Sequence, residues 1–258
     1  MTRDLFSIEG RRAVITAASR GLGRAIALAF AEAGAEVALL ARTEAPLNDV
    51  AAKASKFRRR VLAIPTDVAK ADDVRAAFRN IQDEWGGIDI LVNNADTNSR
   101  TPSLDTTEDD WRKIQSTNLD SALFCAREAA RLMIPQGKGR IINMGSVAGV
   151  FSIPTGVAHA TTKAGISQMT KSLAQELGPH SITVNCIAPW YFRTPLTEKL
   201  VDDPDYRARI LRVTPLGRTG EDADLVGVTI FLASDASAFV TGQTLAVDGG
   251  MSTSAFAP

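Results

Sequence analysis

The stretch "VAHATTKAG" at 157–165 sets His159 and Lys163 four residues apart. On a helix that spacing places both on one face, where an imidazole and an ammonium can share a proton-transfer site. A free histidine titrates near ~6.5, so about one quarter of it is imidazolium at pH 7. Neutral imidazole is a base but no useful acid, because losing its second proton is very costly. A lysine charge one turn away disfavours the charged ring further. Proton donation at neutral pH is therefore expected to be weak, and proton abstraction less affected. The bland alternative is a helix histidine with no part in catalysis; the position one turn before Lys163 favours a place in the site.

A second signature is "ITAASRGLGRAIALAF" at 15–30, an apolar run that turns through glycines into a helical pattern. Gly21 and Gly23 would let the backbone approach a pyrophosphate at a helix N-terminus. Two glycines alone are a weak signal, since a tight strand-to-helix turn uses them anyway. About twenty residues on, where a carboxylate would hold a free ribose 2′-hydroxyl, stand Ala41 and Arg42. Arg42, with Arg20 in the turn, suits a 2′-phosphate through charge-assisted contacts, which is the NADP pattern. The competing reading is two merely exposed arginines.

These residues need a frame. Short apolar runs alternate along the chain with longer helical patterns: "AVIT", "EVALLAR", "RVLAIPTDV", "IDILVNNAD", "GRIINMGS", "SITVNCIAP" and "QTLAVDGG" read as strands. Between them lie helical stretches, the longest at 108–133 and 155–177. The runs are continuously apolar, as in strands buried on both faces. The β-α-β-α order predicts an α/β fold, a Rossmann-type doubly wound parallel sheet of about seven strands with helices on both faces. No linker or repeat divides residues 1–258, so a single domain is expected. The one irregular stretch, 190–225, is a substrate-loop excursion at the ligand-binding end of such a sheet.

Composition excludes several classes. Lys+Arg and Asp+Glu are 29 each, so the formal net charge is zero. That argues against nucleic acid or an anionic membrane as partner, and "KFRRR" at 56–60 reads as a solvated element end. No apolar run is long enough for a signal peptide or a membrane span; a cytoplasmic protein is expected. Cys125 and Cys186 form no CxxC pair, so no metal site is expected and both read as buried thiols.

Taken together, these pieces resemble the short-chain dehydrogenase/reductase family over nearly the whole chain. The pieces stand in family order: "TAASRGLG", "TDV" at 66–68, "NNA" at 93–95, Asn118, Ser146, His159 with Lys163, "IAPWYFRTPL" at 187–196 and "TGQTLAVDGG" at 241–250. "DTNSRTP", "SVAGV" and "APWYFRTPL" look most like tropinone reductase-like members, and the substrate loop also resembles gluconate 5-dehydrogenases. The resemblance implies NADP(H)-dependent carbonyl reduction or alcohol oxidation on a small-molecule ketone or alcohol, in a homotetramer. It implies that Ser146 bonds the substrate oxygen, Lys163 binds the nicotinamide ribose and lowers a neighbouring pKa, and Asn118 holds a water of the proton path. The cofactor would lie along Ala17, Ser19, Arg20, Gly21, Leu22 and Gly23. Asp67 and Val68 would meet its adenine, Asn93 and Ala95 its adenosine side, and Pro189 to Thr194 its nicotinamide end. Trp190, Tyr191, Phe192 and the loop to Leu216 would line a partly apolar substrate pocket. Taken singly, Ser146 could be a helix cap, Asn118 a turn-stabilising group and Asp67 a strand-end cap.

Four positions depart from the general pattern: Ala17, Asp96 and Trp190 stand where glycines are usual, and His159 replaces the proton-donating tyrosine; tryptophan is common at 190 in tropinone reductase-like members, which leaves three unexpected departures. Ala17 costs little if only small size matters, and more than about 1 kcal/mol if φ is positive. Asp96 would either accept from a ribose hydroxyl or repel the pyrophosphate. Three origins stay open: an enzyme altered by small changes, including a laboratory variant; a non-catalytic nucleotide-binding paralogue; or a lyase or isomerase with His159 as base.

Overall fold

The computed structural model describes residues 5–151 and 156–253. Seven parallel strands form one sheet: β1 (Arg12–Thr16), β2 (Glu36–Ala41), β3 (Val61–Pro65), β4 (Ile90–Asn93), β5 (Gly139–Met144), β6 (Ile182–Pro189) and β7 (Thr244–Val247), in the order β3-β2-β1-β4-β5-β6-β7. This is the Rossmann-type sheet that the alternating apolar runs predict. Their side chains divide between two cores, as the two-residue strand period requires. Ala13 and Ile15 of β1 pack with Ile26, Phe30 and Leu232 on one face. Val14 packs with Phe78, Ile81, Leu91 and Met133 on the other. Each such side chain, fully buried, contributes about 1.5–3 kcal/mol.

The helices cover both faces. α1 (Gly21–Glu32) buries Gly23, Ile26, Ala27, Phe30 and Ala31, a stripe at helical spacing. α2 (Glu44–Ala54) and α3 (Ala71–Trp85) follow β2 and β3. α4 (Glu108–Gln115) and α5 (Ser121–Met133) are not one regular helix, as the pattern at 108–133 predicts; a π turn at Ser116–Asp120 joins them. α6 (Val157–Leu177) carries His159 and Lys163; the predicted start at 155 lies outside the described residues.

The excursion at 190–225 holds two short helices, α7 (Glu198–Val201) and α8 (Pro204–Arg212). It runs into α9 (Asp222–Ala233), which the apolar pattern did not reveal. Glu221 and Asp224 form a reciprocal capping box at its start, and that pair is the sequence signal that marks it. No helix of the described residues is long and apolar enough to cross a membrane.

Strand order reverses between β1, whose other neighbour is β2, and β4, which leads on to β5. The chain leaving β1 and the chain leaving β4 therefore diverge at the carboxyl ends of adjacent strands. Ligands bind in the crevice that this switch opens.

Candidate active site

The glycine turn leaves β1 at the switch point. Ala17 takes φ +50°, in the left-handed region, and Gly21 takes φ +54°. Ala17 therefore bears the backbone cost that its methyl threatened. Gly23 has no room for a side chain: a Cβ there would lie 2.5 Å from the Ala17 carbonyl oxygen and 2.4 Å from Asn94 Nδ2. Thr16 ties this turn to the loop after β4, since its Oγ1 accepts from the backbone N–H groups of Asn94 and Ala95 at 2.8 and 3.1 Å.

A cavity of about 320 Å³ opens above these strand ends. Ala17, Arg20, Gly21, Leu22 and Arg42 border it at one end, Ser146, His159 and Lys163 in the middle, and Pro189, Trp190, Tyr191, Phe192 and Thr194 along the substrate loop. Arg20 and Arg42 are both exposed. Ser19, Gly23, Asp67, Val68, Asn93, Ala95 and Asn118 do not border it. Asp67 Oδ1 caps the turn after β3 by accepting from Ala69 N–H, and Val68 is buried in the core. Asn93 Nδ2 donates to Ala122 O and to Asn143 Oδ1, joining β4 to α5 and β5. Leu216 borders a neighbouring hollow with Trp190 and Gly249 instead of this cavity.

Ser146 ends the loop from β5, and its Oγ accepts from Ala148 N–H at 3.1 Å. Its own hydroxyl hydrogen stays free to donate. The following turn lies against α6: a Cβ on Gly149 would come within 2.5 Å of the Lys163 carbonyl carbon. Lys163 is 1% exposed. Its ammonium donates to Met144 O at 2.9 Å and meets Asp96 Oδ1 at 3.2 Å. The other carboxylate oxygen, Oδ2, lies 3.3 Å from His159 Nε2. One carboxylate thus bridges both groups. Partial burial pushes the Asp96 carboxyl up, but the Lys163 ammonium and the His159 ring outweigh this and hold it at about 2, below its ordinary 3.8. Asp96 also borders the cavity.

Asn118 aims this carboxylate. Its position in the π turn points the side chain at the loop, where Oδ1 accepts from Thr97 N–H at 2.8 Å and Nδ2 donates to Thr97 O at 3.0 Å. Nδ2 also reaches Thr162 Oγ1, which in turn donates to His159 O. The residue after Asp96 is thereby pinned on both backbone groups.

Arg100 and Lys113 also border the cavity, and neither stood out in the sequence. Arg100 has φ +53°, a strained backbone held by an Asn98 side chain that accepts its N–H. Its guanidinium lies over the Tyr191 ring and donates to Tyr191 Oη at 3.3 Å. Both cysteines are buried and unpaired, and burial pushes the Cys125 thiol up to about 12. Among the described residues no cluster of three or more His, Cys, Asp or Glu groups could hold a metal.

Comparison with known proteins agrees with this architecture. A family described as enoyl-(acyl carrier protein) reductase matches residues 16–252. Gluconate 5-dehydrogenase of Gluconobacter oxydans is 39% identical over 97% of this chain and 98% of its own. The crystal structure of a short-chain type dehydrogenase/reductase from Mycobacterium marinum superposes with a TM-score of 0.92 at 41% identity, covering 97% of this chain and 99% of that one. That of a gluconate 5-dehydrogenase from Burkholderia cenocepacia, in complex with NADP and tartrate, gives 0.95 at 39% identity, covering 98% and 100%. The sheet, the glycine turn and these matches along nearly the whole length make the chain a member of the short-chain dehydrogenase/reductase family, a family of oxidoreductases.

Proposed function

We propose that the chain interconverts a secondary alcohol and a ketone with NADP(H), using His159 where the family resemblance implies a tyrosine. The observation that carries this is the shared cavity: Arg20 and Arg42 border the same space as Ser146, His159 and Lys163. The phosphate end fits NADP. The N-terminus of α1 faces the turn, Gly23 excludes a side chain, and Ala41 with Arg42 offers a cation where NAD-binding chains offer a carboxylate. When bound, the cofactor would provide the hydride chemistry, its reduced form giving and its oxidised form accepting the hydride. Ser146 donates its hydroxyl hydrogen to the carbonyl oxygen, and the proton is exchanged at His159 Nε2, the ring nitrogen that Asp96 contacts, because Nδ1 is enclosed. With histidine as the acid, ketone reduction is slower than with a positioned phenol, by up to about 10²–10⁴.

Arg100 and Lys113 favour an anionic, hydroxylated substrate at the other end. The names of the gluconate 5-dehydrogenases, and the tartrate held by one of them, point to the same class.

The test is a fluorescence titration of the purified protein with NADPH and NADH. NADPH is expected to bind more tightly, and Arg42→Asp to reverse the preference. Equal or tighter NADH binding by the unaltered chain overturns the cofactor assignment. A redox-neutral reaction with His159 as base is the second reading, favoured by the carboxylate on its ring; conversion of a hydroxy acid without any nicotinamide cofactor would establish it.

A further inference from the structure

We propose that Asp96 is a positioning residue for His159: clamped by the Lys163 ammonium, its carboxylate fixes the imidazole through Nε2 and acts there by its charge and not by packing alone. Positions 96 and 159 then act as one unit, and two of the departures from the family pattern are a single coupled change.

Three observations carry this. Among the described residues the contact to Asp96 is the ring's one hydrogen bond, and Nδ1 is buried with no partner there. The carboxylate is held from several directions: Oδ1 by Lys163, the next residue by Asn118, and the preceding residue by Thr16. Asp96 is also the only carboxylate among the described residues that border the cavity. The other charged groups sharing that space with His159 are cations: Arg20 from the glycine turn, Arg42 after β2, Arg100 from the loop of Asp96, Lys113 from α4, and Lys163 on its own helix. Against that set, Asp96 supplies the one negative charge in contact with the ring among the described residues.

The proposal concerns the same site as the oxidoreductase reading but does not need it, because the readout requires neither substrate nor cofactor. The chain has two histidines. His180, exposed beyond the far end of α6, is the internal reference. Side-chain NMR of histidine-labelled protein, followed from acid to alkaline pH, gives both titration curves at once. Asp96→Asn removes the charge at nearly constant shape. It is expected to move the His159 midpoint down by about one to three units, a 10- to 10³-fold loss of imidazolium relative to imidazole. Asp96→Glu, which keeps the charge, should restore at least half of that shift, and His180 should not move in either variant. Asp96→Gly gives the same reading if the asparagine variant does not fold. A His159 curve unaltered by Asp96→Asn overturns the proposal. So does an equal shift in the Asn and Glu variants, which would show that only the side chain's packing matters. A failed NADPH titration would leave this result standing, and the reverse holds equally.

Discussion

A tyrosine at position 159 examines the electrostatics of the site from a second direction. A free phenol titrates near ~10, and a bare ammonium within a few Å lowers that by about one to three units. Lys163 is not bare: Asp96 Oδ1 lies 3.2 Å from Nζ, so the pair presents no net charge to the ring. His159→Tyr alone should therefore leave the phenol near its ordinary range, whereas His159→Tyr with Asp96→Gly exposes it to the ammonium. The two reaction directions read this difference unequally. Ketone reduction needs the protonated phenol, which prevails at pH 7 in both variants. A gain of about 10² or more in kcat is expected in each, because the proton is shared mainly in the transition state. Alcohol oxidation needs the phenolate. At pH 8 a group titrating near ~10 is ~1% ionised, and one titrating two units lower is about half ionised. Removing the carboxylate should thus raise oxidation about 10- to 90-fold at that pH and move its rising limb down by one to three units. The assay is kcat and KM of both variants, in both directions, across a pH series, on hydroxy acids and on cyclic and linear ketones. Oxidation profiles that superimpose would refute the reasoning, since the carboxylate would then not mask Lys163.

Two further outcomes concern stability. Ala17 sits at φ +50°. Relieving a left-handed alanine returns about 1–2 kcal/mol, partly offset by the extra unfolded-state freedom of glycine, so Ala17→Gly should stabilise by about 0.5–1 kcal/mol. A rise in Tm of roughly 1–4 °C by calorimetry is expected; an unchanged or lower Tm would show that the turn bears no strain. The Asp96 carboxyl is held at about 2, below its ordinary 3.8. A depressed carboxylate stabilises the fold above its unfolded value and loses that contribution as pH falls toward the folded one. The stability advantage of the unaltered chain over Asp96→Asn should therefore be full at pH 5 and shrink between about pH 4 and 2. An advantage that persists undiminished at the acid end would assign it to packing instead of charge.

How far the sequence discloses the fold depends on whether a feature is local. β1, β2, β5 and β6 were legible because both faces of each are buried, which leaves unbroken apolar runs. α1 was legible because its buried residues recur at helical spacing. α9 shows no such stripe: apolar residues surround it, and its one clear signal is the capping box at Glu221 and Asp224. The π turn at Ser116–Asp120 was not legible either, since one extra residue in a helix leaves the flanking pattern almost unchanged. Yet that turn carries Asn118, which pins Thr97 and so the carboxylate beside it.

The site divides along the same line. Arg20, Arg42, His159 and Lys163 could be picked out because each stands in a recognisable local pattern, and Ser146 through the family resemblance; the fold brings all five to one cavity. The bond between Asp96 and His159 joins residues 63 apart in sequence, which neither periodicity nor spacing can register. Judged alone, an aspartate near a pyrophosphate looks damaging, and a histidine near a lysine looks short of its charged form. Set 3.3 Å apart, each answers the other's defect: the ring gains a carboxylate, and the carboxylate is held by the ring and by Lys163. Ala17 has no part in that exchange, for its departure is a matter of backbone φ in the turn after β1. The three departures therefore do not act through one set of contacts. Two are coupled by charge and should be reversed together, and the third should be reversible without regard to either.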